Sequence, residues 1–178
     1  SSVEHMGILA FGAGIGGAGM HGSLMHVLAH GVAKGAMFLL AGNILAAYLT
    51  KEVSGVRGAV RALPVSGPLW VAGVLALTGM PPFGAFVSEL AFLRAALASD
   101  QPYLAIIFLL LLAMAFIGIT TAALRMAQGA SGIEPRPEPA SASWPPLALL
   151  LAALALGLWM PGPLADVLAA SARLTGGF

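Results

Sequence analysis

The sequence predicts an all-α protein, a polytopic transmembrane helix bundle of about five spans with one of them discontinuous, and three observations carry that prediction. Of its 178 residues, 59% are hydrophobic and 8% charged, where a soluble domain carries roughly 25% charged residues. The mean hydropathy is +0.94. Apolar runs long enough to cross a hydrocarbon core of ~30 Å recur along the chain, and one of them is cut by a Gly/Pro string that a continuous helix cannot absorb. Helices satisfy their own backbone in lipid, so long apolar runs read as helices.

Charge and cysteine content narrow the function. Eight Lys plus Arg stand against seven Asp plus Glu, a formal net charge of +1, which supplies no basic surface for nucleic acid. The chain has no Cys, so disulfides, thiolate metal sites and cysteine nucleophiles are excluded. It opens on Ser1 with neither a basic n-region nor a small-x-small cleavage site, so the opening is expected to belong to a longer polypeptide and not to a signal peptide.

Residues 1–178 are expected to form a single transmembrane domain. The first span is predicted over 5–22; Met6 to Met25 is apolar apart from His21, and its seven glycines suit close helix packing in a bilayer. The second, 24–49, is interrupted by His26, His30 and Lys34. An aqueous loop with Lys51, Arg57 and Arg61 follows. The third span, 64–98, is predicted to break near 79–84, where Gly79, Pro81, Pro82 and Gly84 fall together. It is too short for two crossings of about 20 residues plus a turn. The fourth, 103–125, is uncharged until Arg125; residues 127–144, rich in Pro, Ser, Gly and Glu, read as a hydrophilic connector. The last span is predicted over 146–161, ahead of a mildly amphipathic tail. Five crossings put Lys51, Arg57, Arg61, Arg125 and Arg136 on one side, which is then cytoplasmic, with the C-terminus outside. Trp70, Trp144 and Trp159 lie near span ends and read as interface anchors.

Few residues carry chemistry. Gly12-Ala13-Gly14-Ile15-Gly16-Gly17 fits GxGxxG, but no strand precedes it and no acid lies about 20 residues on, so it reads as helix packing. His26, His30 and Lys34 stand at i, i+4 and i+8, each about 6 Å further along one slowly drifting stripe. Histidine titrates nearest neutrality, which suits a proton relay. Metal ligation by the two histidines is the weaker alternative, lacking the Glu of HExxH and a third ligand; interhelical hydrogen bonding is the structural one. Glu89 lies among apolar residues five positions after Gly84, and an intramembrane carboxylate costs about 2.5–3.5 kcal/mol. It reads as a functional group beside a helix break, or as a structural ion pair with Arg94 or Lys34. Glu4 and His5 form a second polar pair at a helix start, a candidate secondary part of the site, although exposure to headgroups is the favoured expectation. No phosphate loop, nucleophile–base pair, quinone or flavin site is discernible. No catalytic residue, resident cofactor or metal ion is therefore expected.

Three strings, SSVEHMG, HVLAHGVAKGAMFLLAGN and LALTGMPPFGAFVSELAFL, resemble the antiporter-like proton-translocating subunits of respiratory complex I and membrane-bound hydrogenases, most of all the hydrogenase-4 component F type. The resemblance spans nearly the whole chain and about the last third of such a subunit. It implies a half-channel built from a polar helix, matched by His26, His30 and Lys34, and a discontinuous helix with one ionisable residue, matched by Glu89. Some relatives have Lys there and the chain M type has Glu, which tilts the likeness away from the outermost subunit. The family's earlier Glu and Lys lie on helices outside this sequence. The resemblance further implies residence in the prokaryotic cytoplasmic membrane and partnership with other membrane and hydrophilic subunits of a large oxidoreductase that moves protons or sodium. The rival expectations are a subunit of a multisubunit cation/proton antiporter and a purely structural membrane subunit.

Overall fold

The computed structural model describes residues 2–176. Among them are eight α-helices and no strand: α1 (Ser2–Ile15), α2 (Ala18–Tyr48), α3 (Ala59–Ala62), α4 (Ser66–Leu77), α5 (Gly84–Ala98), α6 (Tyr103–Ala127), α7 (Ala140–Leu158) and α8 (Gly162–Gly176). The helical bundle expected from composition is thus observed. Three helices, α2, α6 and α7, are each long and apolar enough to cross a membrane.

α2 is the pillar. Its 31 residues span about 46 Å at 1.5 Å per residue, and α1, α4, α5, α7 and α8 all pack on it. Ala33, Ala36, Met37 and Leu40 of α2 meet Val74, Ala76 and Leu77 of α4, Ala123 of α6, and Leu150 and Ala153 of α7 in one buried cluster. A second cluster joins Ile44 and Ala47 to the Val56–Leu63 segment. The third, Ile8, Phe92 and Phe108, ties α1 to α5 and α6. Small residues at the α2 contacts let the backbones approach, and packing supplies the cohesion that hydrophobic burial cannot supply between lipid-facing helices.

Two helix boundaries differ from those read in the sequence. The predicted first span, 5–22, is cut at Gly16 and Gly17, whose φ values of 75° and 47° suit glycine and end a right-handed helix. His21 and Gly22 therefore belong to α2, and α1 is a half-length helix of 14 residues. The predicted last span, 146–161, begins six residues early, because α7 carries Pro145 and Pro146 within it. Pro146 has no N–H for the carbonyl of Ala142, and Asn43 Nδ2 donates to that carbonyl at 2.8 Å instead. The same Nδ2 donates to Ser66 Oγ at 2.8 Å. An orphaned carbonyl is thus satisfied from the pillar, and the helix continues through its prolines.

One end of the bundle is stitched by the two loops that carry the basic residues. Gly58 N–H donates to the Gln128 carbonyl (2.8 Å) and Arg136 N–H to that of Ala62 (3.0 Å). Glu138 accepts from the Val65 and Ser66 N–H groups at 2.7 and 3.0 Å, placing a carboxylate on the exposed donors at the start of α4. Lys51, Arg57, Arg61 and Arg136 thereby share one end. Trp70 packs partly buried against the first two clusters, while Trp144 and Trp159 are exposed.

Candidate functional site

The site lies where α1, α2 and the broken α4–α5 helix meet. The Gly79–Gly84 string separates α4 from α5. Within it the Met80 N–H reaches back to the Leu75 carbonyl at 3.0 Å and the Phe83 N–H to Met80 at 3.1 Å. Pro82 follows Pro81 through a cis bond. α5 then starts anew and runs along α2, setting Ser88 and Glu89 level with the polar stripe.

His26 and His30 are buried, four residues apart on α2, with ring centroids 5.9 Å apart and ring planes nearly parallel at 7°. The group between them is His5, from α1. Its ring centroid lies 5.1 Å from that of His26 and 3.8 Å from that of His30, and it is 1% exposed. The headgroup exposure expected for His5 is thus corrected. α1 ends at Gly16 and turns its apolar face, which carries His5, Ile8 and Gly12, into the bundle. Glu4 is half-buried beside it and interacts electrostatically with both Lys34 and Glu89.

The hydrogen bonds give this cluster a direction. Ser88 Oγ donates to the Ala85 carbonyl at 2.7 Å, which uses its one proton, so it accepts from His26 Nδ1–H at 2.7 Å. With Nδ1 protonated, the neutral His26 ring presents a lone pair at Nε2, which accepts from His5 Nδ1–H at 2.9 Å. His5 Nε2 is left as a buried acceptor with no hydrogen-bond partner among the described residues, and so is His30 Nδ1 without a partner. The chain His5, His26, Ser88 therefore ends on the residue next to Glu89.

Glu89 is 6% exposed. Its Oε1 has no hydrogen-bond partner among the described residues, and the carboxylate forms no ion pair among them. The pairing with Arg94 or Lys34 raised as an alternative is not formed; Arg94 is exposed. The carboxylate lies against Gly79, where a Cβ would overlap it. It lines a cavity with Thr78, Phe86, Phe108 and Leu112. Lys34 does not join the histidine cluster. Over eight residues the stripe drifts by about 80°, which brings Lys34 to the edge of the bundle, half-buried, with Nζ donating to Ser2 Oγ at 2.8 Å and standing 5.5 Å over the Phe38 ring.

Of the site's residues, reading the sequence misses Ser88 and finds His5 only as a candidate secondary member. His5 stands at a chain opening, where its type and position favour exposure, and Ser88 is a common small residue, although a hydroxyl beside an intramembrane carboxylate in an apolar run is a signal that could have found it.

Comparison with known proteins agrees with this architecture. The chain is 38% identical over 123 residues to the hydrogenase-4 component F homolog of Methylacidiphilum infernorum, covering 68% of this chain and 24% of that protein. It superposes on a chain of respiratory complex I from Thermus thermophilus with a TM-score of 0.81 and 29% identity, over 97% of this chain and 37% of that one. The fold also matches the Mrp complex from Dietzia sp., with a TM-score of 0.82 at 21% identity, covering 95% and 40% of the two chains. These relatives are subunits of large multisubunit membrane assemblies, and the chain spans about a quarter of the length of the first. Residues 1–117 match the NADH:quinone oxidoreductase/Mrp antiporter transmembrane family, confirming the resemblance read from three strings: the chain belongs to that family.

Proposed function

We propose that this chain forms part of a proton-translocating membrane subunit of a hydrogenase-4 or complex I type oxidoreductase, resident in a prokaryotic cytoplasmic membrane, with electron chemistry carried by other subunits. The observation that supports it most is the buried hydrogen-bond chain His5, His26, Ser88, whose last member adjoins in sequence a buried carboxylate without a hydrogen-bond or ion-pair partner among the described residues. A proton reaching His5 Nε2 releases the one at Nδ1 to His26 Nε2, and His26 releases its Nδ1 proton to Ser88 Oγ as the Ser88 hydroxyl turns from the Ala85 carbonyl and gives up its own proton through water to Glu89. The transfers from His5 to His26 and from His26 to Ser88 run along existing hydrogen bonds and leave each ring neutral in its other tautomer, so a ring flip resets the chain. His30, tilted against His5 at 3.8 Å between ring centroids, and Lys34, joined electrostatically to Glu4, lie on the entry side. Glu89 is the group whose charge changes, on a broken helix where backbone and cavity leave room for an exchanging ion. Moving one charge against 100 mV takes about 2.3 kcal/mol, which a coupled redox reaction supplies.

The test uses the full-length subunit in its assembled complex, in inverted vesicles, with proton uptake and electron transfer recorded together for wild type and Glu89→Gln. Uptake per electron is expected to collapse in the variant while the complex stays assembled. Unchanged uptake per electron would show a structural carboxylate and refute the reading. A second reading, cation/proton exchange without electron transfer, draws on the equally close fold of the Mrp complex. Uptake that persists with the electron donor withheld, and requires sodium on the opposite side, would select it.

A further inference from the structure

We propose that His5, His26 and His30 form a binding site for a divalent transition-metal ion of the zinc class. The ligand nitrogens of the three rings all lie within 4.8 Å of one another, so small ring rotations bring them to the Zn–N distance of about 2.0–2.1 Å of a trigonal face. The third ligand, which the i, i+4 pair lacked in the sequence, comes from α1. Three features fit an ion better than a packed histidine stack. His5 Nε2 and His30 Nδ1 are buried and have no hydrogen-bond partner among the described residues, an arrangement that costs stability unless something engages those nitrogens. All three rings are buried, and imidazole nitrogen is an ordinary zinc ligand. His26 is also held as zinc-ligating histidines are: its Nδ1–H is fixed on Ser88 Oγ, itself fixed on the Ala85 carbonyl, leaving Nε2 to face the cluster.

Binding replaces the His5–His26 hydrogen bond of 2.9 Å by two metal–nitrogen bonds and leaves a fourth position to water. The all-imidazole donor set selects zinc, copper or nickel over sodium, magnesium and calcium, which take oxygen ligands. The site is therefore separate in chemistry from any sodium that the parent complex exchanges. It does not depend on the proton path proposed above, although an ion there would hold the nitrogens that path uses.

The test is equilibrium dialysis of Zn2+ against the full-length subunit in its purified complex, washed with chelator and kept without electron donor. Wild type is expected to bind one equivalent that is weakened about tenfold or more in His5→Asn and in His30→Asn. His21→Asn removes a half-buried histidine of α2 that lies outside the cluster, and is expected to bind as wild type. Because an asparagine variant can lose metal by misfolding, His30→Cys is titrated with Co2+ as well. This chain has no cysteine of its own, so a new sulfur-to-cobalt charge-transfer band, absent from wild type, would report ligation at that position. Equal Zn2+ binding in wild type, His5→Asn and His30→Asn, or a folded His30→Cys complex without the band, would overturn the proposal. Neither result bears on Glu89, whose role is read from proton uptake alone.

Discussion

The histidine cluster and Glu89 are buried in the same part of the bundle, yet they meet the cost of burial in opposite ways. His26 has both ring nitrogens engaged, by His5 and by Ser88, and its neighbours stack on one another at 3.8–5.9 Å. His5, His26 and Ser88 can stay neutral and still be a continuous hydrogen-bonded unit, open at His5 Nε2. Glu89 has neither a hydrogen bond at Oε1 nor an ion pair among the described residues. It stands instead against the bare backbone of Gly79 and the wall of a cavity. A network whose central ring is engaged on both sides and whose ends are open passes a proton without holding charge; a carboxylate left unsatisfied is poised to change state when its surroundings do.

The sharpest way to break that comparison is to remove the space that Glu89 uses. Gly79 has a φ of +66°, and a side chain there would meet the carboxylate directly. Gly79→Val therefore combines a backbone conformation costing of order 1–3 kcal/mol in a β-branched residue with displacement of Glu89. We expect a lowered thermal midpoint of the complex and the loss of most proton uptake per electron. Retention of uptake would mean that Glu89 functions away from the break.

Ser88→Ala attacks the other member of the pair and leaves the carboxylate alone. It strips His26 Nδ1–H of its acceptor, a buried loss of about 1–3 kcal/mol, and frees the ring to adopt the other tautomer. Uptake is expected to slow severalfold, with electron transfer intact and Ser88→Thr recovering most of the rate. If Ser88→Ala is silent in uptake but destabilising, the cluster is a structural polar network and only Glu89 carries the transport reading.

The two halves of the site were unequally legible in the sequence, and the reason is range. His26 and His30 announce themselves by a spacing of four, and Glu89 by the apolar residues around it. The interruption near 79–84 follows from residues that cannot donate a hydrogen bond. Each of those signals is local. The partners that give them meaning are not: Ser88 is 62 positions from His26, and His5 is 21 positions away on a different helix. Seven glycines between Met6 and Met25 offered several places to end a helix, and only packing against α2 and α5 decides for Gly16 and Gly17. The start of α7 was hidden for the same reason, since two prolines read as a stop unless a side chain elsewhere takes up the carbonyls they abandon.

That last point gives a smaller prediction, in a region that positions the site without belonging to it. Asn43→Leu fits the apolar surroundings of α2 but leaves the Ala142 carbonyl unpaired and removes the link to Ser66. The expected cost is about 1–3 kcal/mol, read as a lowered thermal midpoint of the complex with proton uptake per electron unchanged.

The smallest effect is expected at the stitched end. Glu138 accepts from two backbone N–H groups at the start of α4, and it does so half-exposed, where water can replace it. Glu138→Ala should cost about 0.5–2 kcal/mol, as loss of a helix cap does, and Glu138→Gln less, because its carbonyl oxygen still accepts while the favourable charge at the helix start is gone. The difference between the two variants isolates the electrostatic part and should shrink as salt is raised. A Glu138→Ala complex with reduced proton uptake per electron, against this expectation, would mean that the connector and α4 hold the helix break in place from about a helix length away, and that Glu89 is set by the whole of α4 rather than by Gly79 alone.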